Sequence, residues 1–417
     1  GEDGLDQDRA SGGRGARGRI EAPWLGAGGS EGRGKGRGAV ATPRVMACSG
    51  LAITTMLAGG GRRRGVPMAK HLVICADGTW NRPEQDDDDV PTNVLRLARA
   101  VQPVTADGSA QHVFYDWGVG SYYDRVRGGV AGLGIHKNIM DAYRYLVQNY
   151  APGCRIYLFG YSRGAYTVRA LCGLINNCGI LRRPDASLIV DAFAHYKRTG
   201  DDYKPAGKAS VAFRQRHSHR SRRVHFVGAF DTVGALGIPF SVLGLFDKND
   251  EFYDTKLGGN VAIARHALAI DERREDFEPT LWEPRAGLDL DQAWFAGSHG
   301  DVGGGIKGAA SDEPLAADEP LAWMLAEAGA AGLHFEPHLR EGLRRSPTAR
   351  IHDSRRHIYR LRRAEPRALE RAGRPTRLHP SVLARWKADP GYRPPNLRPL
   401  LSGPAAGYGA VYHIEIA

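Results

Sequence analysis

Residues 154–175 read CRIYLFGYSRGAYTVRALCGLI, an apolar run, a Gly-x-Ser-x-Gly turn and then a stretch with helical spacing. That order is the one a nucleophile elbow requires, with a strand delivering a serine onto a sharp turn that opens a helix. The turn forces the serine into a strained backbone conformation, so the positions two before and two after it must be small for strand and helix to approach. Gly160 and Gly164 satisfy that condition around Ser162. The simpler alternative for such a pentapeptide is a tight strand-to-helix turn carrying a surface serine.

Outward from this segment, short apolar runs alternate with amphipathic stretches, a pattern that predicts a mainly parallel sheet with helices on both faces. Strands are expected at His71–Ala76, His112–Tyr115, Arg155–Phe159, Val224–Phe230 and Ala293–Ala296. Helices are expected at Thr92–Val101, Ile135–Tyr150, Arg163–Asn176, Asp185–Arg198 and Pro320–Ala331. The fold class is therefore α/β and α/β-hydrolase-like. A cap-like insertion is expected over 181–223, between the nucleophile's helix and the next core strand. The Arg- and Pro-rich region from 333 to 417 reads as a C-terminal wrap or small subdomain with a strand-like stretch, AVYHIEI, near its end.

A serine hydroxyl is a weak nucleophile near neutral pH and needs a base within hydrogen-bond reach and an acid to orient that base. In this fold the acid and then the histidine follow the serine along the chain. VHFVGAF runs into Asp231-Thr232-Val233-Gly234, placing a carboxylate at the carboxyl end of a strand, the edge where ligands gather in parallel sheets. DQAWFAG runs into Ser298-His299-Gly300-Asp301 and three further glycines or valines before Gly305, placing an imidazole in a glycine-rich loop. Asp231 is thus the expected acid and His299 the expected base, with Asp301 and His266 as the alternatives for the two roles. Asp301 could equally be a turn residue that caps loop amides. The oxyanion donors are expected from the backbone of Arg163 and from the loop Asp77-Gly78-Thr79 after the first strand. That loop could also be a purely structural turn in which Asp77 bonds nearby amides.

Six ordered stretches, DGTWN (77–81), GYSRGA (160–165), FDTVGALG (230–237), HALAIDERR (266–274), SHGDVGGG (298–305) and YRPPNL (392–397), together resemble one family. It is the α/β-hydrolase domain family that includes type VI secretion phospholipase effectors, and the resemblance spans about residues 68–400. It implies Ser162 as nucleophile, Asp231 as acid and His299 as base, with Asp77, Gly78 and Thr79 lining the site. It also implies phospholipid acyl esters as the substrate class.

Composition bounds the remaining possibilities. The chain has 417 residues, 42% hydrophobic and 25% charged, enough for one large domain, and no apolar run long enough to span a membrane. Residues 1–67 form a Gly/Arg-rich, low-complexity leader with eleven Lys/Arg against six Asp/Glu and a short apolar run. Met68 is the expected natural start, the rival being a signal or transit peptide. The catalytic domain is placed at 68–332. The net charge of +11 rests otherwise on two patches, Arg214–Arg223 and Arg355–Arg367, read as solvated surface with some capacity for anionic lipid. No nucleic-acid signature accompanies them. Five cysteines without a C-x-x-C pair fit a reducing, cytoplasmic setting, with export by a secretion system as the variant.

The expected reaction is hydrolysis of a lipid-like ester without cofactor or metal, with peripheral membrane contact. Two other classes stay open: a metal-dependent phosphohydrolase using Asp77, Asp86–Asp89, Asp231 and Asp301, and a binding protein that keeps a silent hydrolase scaffold.

Overall fold

A computed structural model describes residues 70–78, 89–118, 131–233, 257–306, 313–355, 363–369 and 376–402. The leader, Thr79, Asp86–Asp88, residues 234–237 and the stretch AVYHIEI lie outside the described residues.

Six strands build the central sheet: β1 (Lys70–Ala76), β3 (Ala110–Asp116), β4 (Arg155–Tyr161), β5 (Val224–Phe230), β6 (Val261–Ala269) and β7 (Asp289–Phe295). Their order is β3-β1-β4-β5-β6-β7, and every pairing is parallel. A separate antiparallel ribbon joins β2 (Val90–Thr92) to β8 (Gly304–Ile306). The strands of a parallel sheet are covered on both faces, which is why they read as nearly continuous apolar runs.

Alternation along each strand sorts the side chains into two cores. Leu72, Ile74, Ile156 and Leu158 pack with α2 (Ala131–Asn149) and α3 (Arg163–Cys178). Val73, Cys75, Tyr157 and Phe159 face the other way, onto α1 (Asn93–Ala100) and α7 (Asp318–Ala330). Each fully buried Leu, Ile or Phe among them contributes about 1.5–3 kcal/mol by leaving water.

Four of the five expected strands appear close to their anticipated limits, and β7 starts earlier, at Asp289. β6 was not anticipated because VAIARHALA carries Arg265 and His266 in its middle. Both are buried: Arg265 pairs with Asp289 at 3.0 Å and with Glu327, so the charge is matched rather than exposed. The expected helix at Asp185–Arg198 is a 3-10 turn, Arg183–Leu188, followed by α4 (Ile189–Tyr196).

The segment 181–223 does not sit over the nucleophile. α4 and α5 (Lys208–His217) pack on the far half of α3: Tyr196 closes on Gly173, the Cys178 thiol meets the Ala192 carbonyl, and Asn177 bonds the Tyr203 carbonyl at 2.7 Å. Gly173 is about 16 Å along the helix from Ser162 at 1.5 Å per residue. The cap-like reading is therefore corrected to a buttress of α3. Its apolar residues, Ile189, Phe193 and Tyr196, extend the core instead of roofing the sheet edge.

The C-terminal region is part of the fold. Leu369, Leu378, Val382, Tyr392 and Leu397 form a core with Leu268, Ile270 and Trp294 of the β6–β7 side. Leu378 bridges to Trp294 of the outer strand, and α9 (Pro380–Ala388) follows it. The chain also forms α6 (His299–Gly303), α8 (Pro337–Glu341) and α10 (Arg398–Ser402). No helix among the described residues is long and apolar enough to cross a membrane.

Candidate active site

Strand order reverses between β1 and β4, so the crevice at their carboxyl ends is the place where such a sheet presents ligands. Ser162 stands there, between β4 and α3, with φ 55° and ψ −119° and its hydroxyl not used to cap the helix. Among the described residues, Ser162 and Asp231 (φ 42°) alone are non-glycine residues with positive φ. Such a backbone costs about 1–3 kcal/mol and persists only where its surroundings hold it. Here Gly164 lies against the Ala76 carbonyl and Gly160 against Ala165, contacts that leave no space for a Cβ. The Ser162 amide bonds the Phe230 carbonyl at 3.1 Å, tying the turn to the residue before Asp231. Ser162 is half-buried, and it lies at the amino end of α3, where the helix dipole favours developing negative charge.

Asp231, fully buried just beyond β5, accepts His299 Nδ1 at 2.6 Å through Oδ2 and the Ala269 amide at 3.0 Å through Oδ1. This fixes the ring: with Nδ1–H donated to the carboxylate, Nε2 is the nitrogen left to take a proton. The His299 ring packs near Tyr161 (4.8 Å) and Phe277 (5.1 Å). Burial pushes its pKa below the usual 6.5 while Asp231 pulls it back up, which leaves a neutral imidazole near pH 7. Burial works to raise the Asp231 pKa, but Arg367 and His299 outweigh it and hold the carboxyl well below the carboxylate range.

Two functional neighbours were not anticipated. Arg367, 2% exposed, forks onto Asp231 with Nη1 to Oδ1 at 2.7 Å and Nη2 to Oδ2 at 3.0 Å. It ends the Arg355–Arg367 stretch that was expected to be solvated surface, and at this residue that expectation is corrected. Glu272, fully buried after β6, accepts the His299 amide at 3.2 Å, the Ser354 hydroxyl at 2.7 Å and a two-point pair from Arg274. Burial would raise its pKa, yet Arg274 draws it down to about 2. Glu272 falls within HALAIDERR, so the stretch was recognised but its role was not.

The other expected site residues divide. Asp301 closes a capping box with Ser298 at the start of α6, and it also accepts the His352 amide at 2.9 Å and pairs with its Nδ1 at 2.7 Å. Its carboxylate is committed to the loop rather than to His299 or the crevice, so the capping alternative describes it. His266 is fully buried, its Nε2 accepting the Thr232 amide at 3.0 Å. Burial drops its pKa to about 3, which makes it a neutral structural acceptor.

Asp77, 2% exposed, accepts the Gly78 amide at 2.7 Å, the Tyr115 hydroxyl at 2.7 Å and the Thr92 hydroxyl. Thr92 at the same time caps α1 through the Leu95 amide. Asp77 and Gly78 therefore line the sheet edge beside Gly164, but the carboxylate shapes the loop and the Gly78 N–H is turned to it. Arg163 is the first residue of α3, one of the positions whose N–H has no acceptor within a helix. The carboxylates of Asp77, Asp231 and Asp301 each serve different partners, and no cluster of three or more metal-ligating side chains occurs among the described residues.

Residues 70–327 match the family described as T6SS, phospholipase effector Tle1-like, catalytic domain. An uncharacterized protein of Saccharomyces cerevisiae is 27% identical over 237 residues, covering 52% of this chain and 33% of its own length. Among solved structures, an uncharacterized protein from Pseudomonas aeruginosa is 17% identical, covering 67% of this chain and 49% of that one at a TM-score of 0.40. The Tle1 effector bound to the VgrG spike from the Type 6 secretion system is 22% identical, covering 58% and 52% at a TM-score of 0.32. The chain thus spans about a third of the yeast relative and about half of each solved chain.

Proposed function

The chain belongs to the family of Tle1-like phospholipase effectors of type VI secretion, over its catalytic domain, and from that premise we propose that it hydrolyses lipid acyl esters through an acyl-enzyme on Ser162. The observation that carries this reading is the buried Asp231–His299 pair, 2.6 Å apart, in which Asp231 directly follows the strand whose last carbonyl accepts the Ser162 amide.

In this reading the Ser162 hydroxyl attacks the ester carbonyl carbon as its proton passes to His299 Nε2. Asp231 stabilises the imidazolium through Nδ1. The tetrahedral oxyanion forms at the amino end of α3, where the Arg163 N–H serves as one donor. Collapse breaks the ester C–O bond, and Nε2 returns its proton to the leaving alkoxide. Water then repeats the sequence on the acyl-enzyme, releasing the fatty acid and restoring Ser162. A lipid surface is the partner this substrate implies.

The test compares wild type with Ser162→Ala on phospholipid vesicles and on soluble esters. Wild type is expected to release fatty acid. The variant should lose about 10⁴-fold or more in kcat while its melting temperature stays within a degree or two. Substantial turnover by the alanine variant rules out the assignment.

A further inference from the structure

Arg367 lies forty residues beyond the end of the matched catalytic domain at 327, yet its side chain ends on the carboxylate that holds the base. The fork leaves little freedom. Two nitrogens address the two Asp231 oxygens, and the same nitrogens bond the Ala269 carbonyl at 2.9 Å and the Phe277 carbonyl. The backbone is pinned as well: Asn396 Nδ2 bonds the Arg367 carbonyl at 3.1 Å and the Ile270 carbonyl at 3.0 Å. The segment is thereby sewn to the end of β6 from two sides.

One oxygen makes the arrangement unusual. Asp231 Oδ2 faces both His299 Nδ1 (2.6 Å) and Arg367 Nη2 (3.0 Å). A carboxylate that already neutralises a guanidinium has less charge to offer an imidazolium on the same atom. We propose that Arg367 is a positioning residue of the catalytic centre, supplied by the C-terminal region, which fixes the Asp231 carboxylate and weakens the basicity of His299, so that the base stays unprotonated into mildly acid pH. This rests on the serine-hydrolase reading above.

The other groups facing the pair are Glu272 and Arg274 from the turn after β6, Tyr161 at the end of β4, and His266 on β6. They are common to all the variants below and cancel in the comparison. Were Arg367 only a peg for the C-terminal region, its loss would lower stability and leave the protonation of His299 where it was.

Imidazole titration by NMR on histidine-labelled full-length protein separates the two roles, with His299→Gln identifying the signal. Arg367→Met should raise the His299 midpoint by about 1–3 pH units. Arg367→Gln, which keeps a hydrogen-bond donor but drops the charge, carries the same expectation if the methionine variant does not fold. Arg367→Lys keeps a point charge without the planar fork and should stay near the wild-type midpoint. In ester hydrolysis the acid limb of kcat should move up with that midpoint while KM changes little, and lysine should restore the limb. A midpoint within about 0.3 unit of wild type in the charge-free variants overturns the proposal, since the expected electrostatic shift is at least about one unit. If wild type hydrolyses no ester, the hydrolase reading fails, whereas the titration still decides what Arg367 does.

Discussion

Gly164→Ala is a one-methyl change whose sign separates the steric account of the elbow from a propensity account. Alanine favours a helix over glycine by about 1 kcal/mol, so on propensity alone the variant would be more stable. The structure says the reverse. The new Cβ would lie 2.0 Å from the Ala76 carbonyl oxygen, 2.4 Å from its carbon and 2.6 Å from the Asp77 carbonyl oxygen, all backbone atoms. Real Cβ atoms do not come closer than 3.0 Å, so β1 and α3 must part by about 1 Å. Ala76 is bonded between β3 and β4 and has no room to retreat, so the helix end moves and carries Ser162 with it.

Such overpacking costs typically about 1–3 kcal/mol, and each kcal/mol lowers the melting temperature by roughly 1–2 °C in a domain of this size. A misplacement of about 1 Å at the reacting atom costs on the order of 100-fold in rate. Calorimetry and the rate of Ser162 labelling by a fluorophosphonate read both effects in the same sample. An unchanged or raised melting temperature with wild-type labelling would show that the contact between Gly164 and β1 does not hold the turn.

His266→Gln should keep labelling within about tenfold of wild type, because a glutamine oxygen can still accept the Thr232 amide. His299→Gln should lose about 10³-fold or more, and equal losses in the two would return His266 to candidacy as the base. Glu272 has a folded-state pKa of about 2 against an ordinary 4.5, a depressed value whose stabilisation is complete above 4.5 and lost as pH falls towards 2. It amounts to roughly 3 kcal/mol. The stability gap between wild type and Glu272→Gln in urea titrations should therefore close between about pH 4.5 and 2. A gap that stays constant across that window contradicts the pairing with Arg274.

The tight turn at Ser162 and the meeting of Asp231 with His299 were legible because each leaves a local mark. A strand, a small-x-Ser-x-small turn and a helix appear in order around Ser162, while Asp231 follows β5 directly and three residues separate His299 from the apolar end of β7. What supports them was not legible, since burial of a charge depends on partners remote in the chain. Nothing in the run RRAEPRAL separates Arg367 from the arginines before it. Its role follows only once β5 brings Asp231 to the same point.

β6 was hidden for the same reason: Arg265 interrupts its apolar pattern but is answered by Asp289 and Glu327. The capping role of Asp301 was written in the Ser-x-x-Asp spacing of 298–301, and it won over the alternative as acid because Ser298 and His352 take up both carboxylate oxygens. The insertion's place between the nucleophile's helix and the next core strand suggested a cap, but Ile189, Phe193 and Tyr196 commit its first half to the flank of α3.

Mapping the covalent adduct tests the central claim most directly. Full-length protein treated with a fluorophosphonate is digested and the modified peptide sequenced by mass spectrometry, for wild type and for His299→Gln. One phosphonyl group on Ser162 in wild type, formed far more slowly without His299, is the predicted result. Modification of another residue, or of Ser162 at a rate indifferent to His299, would contradict it.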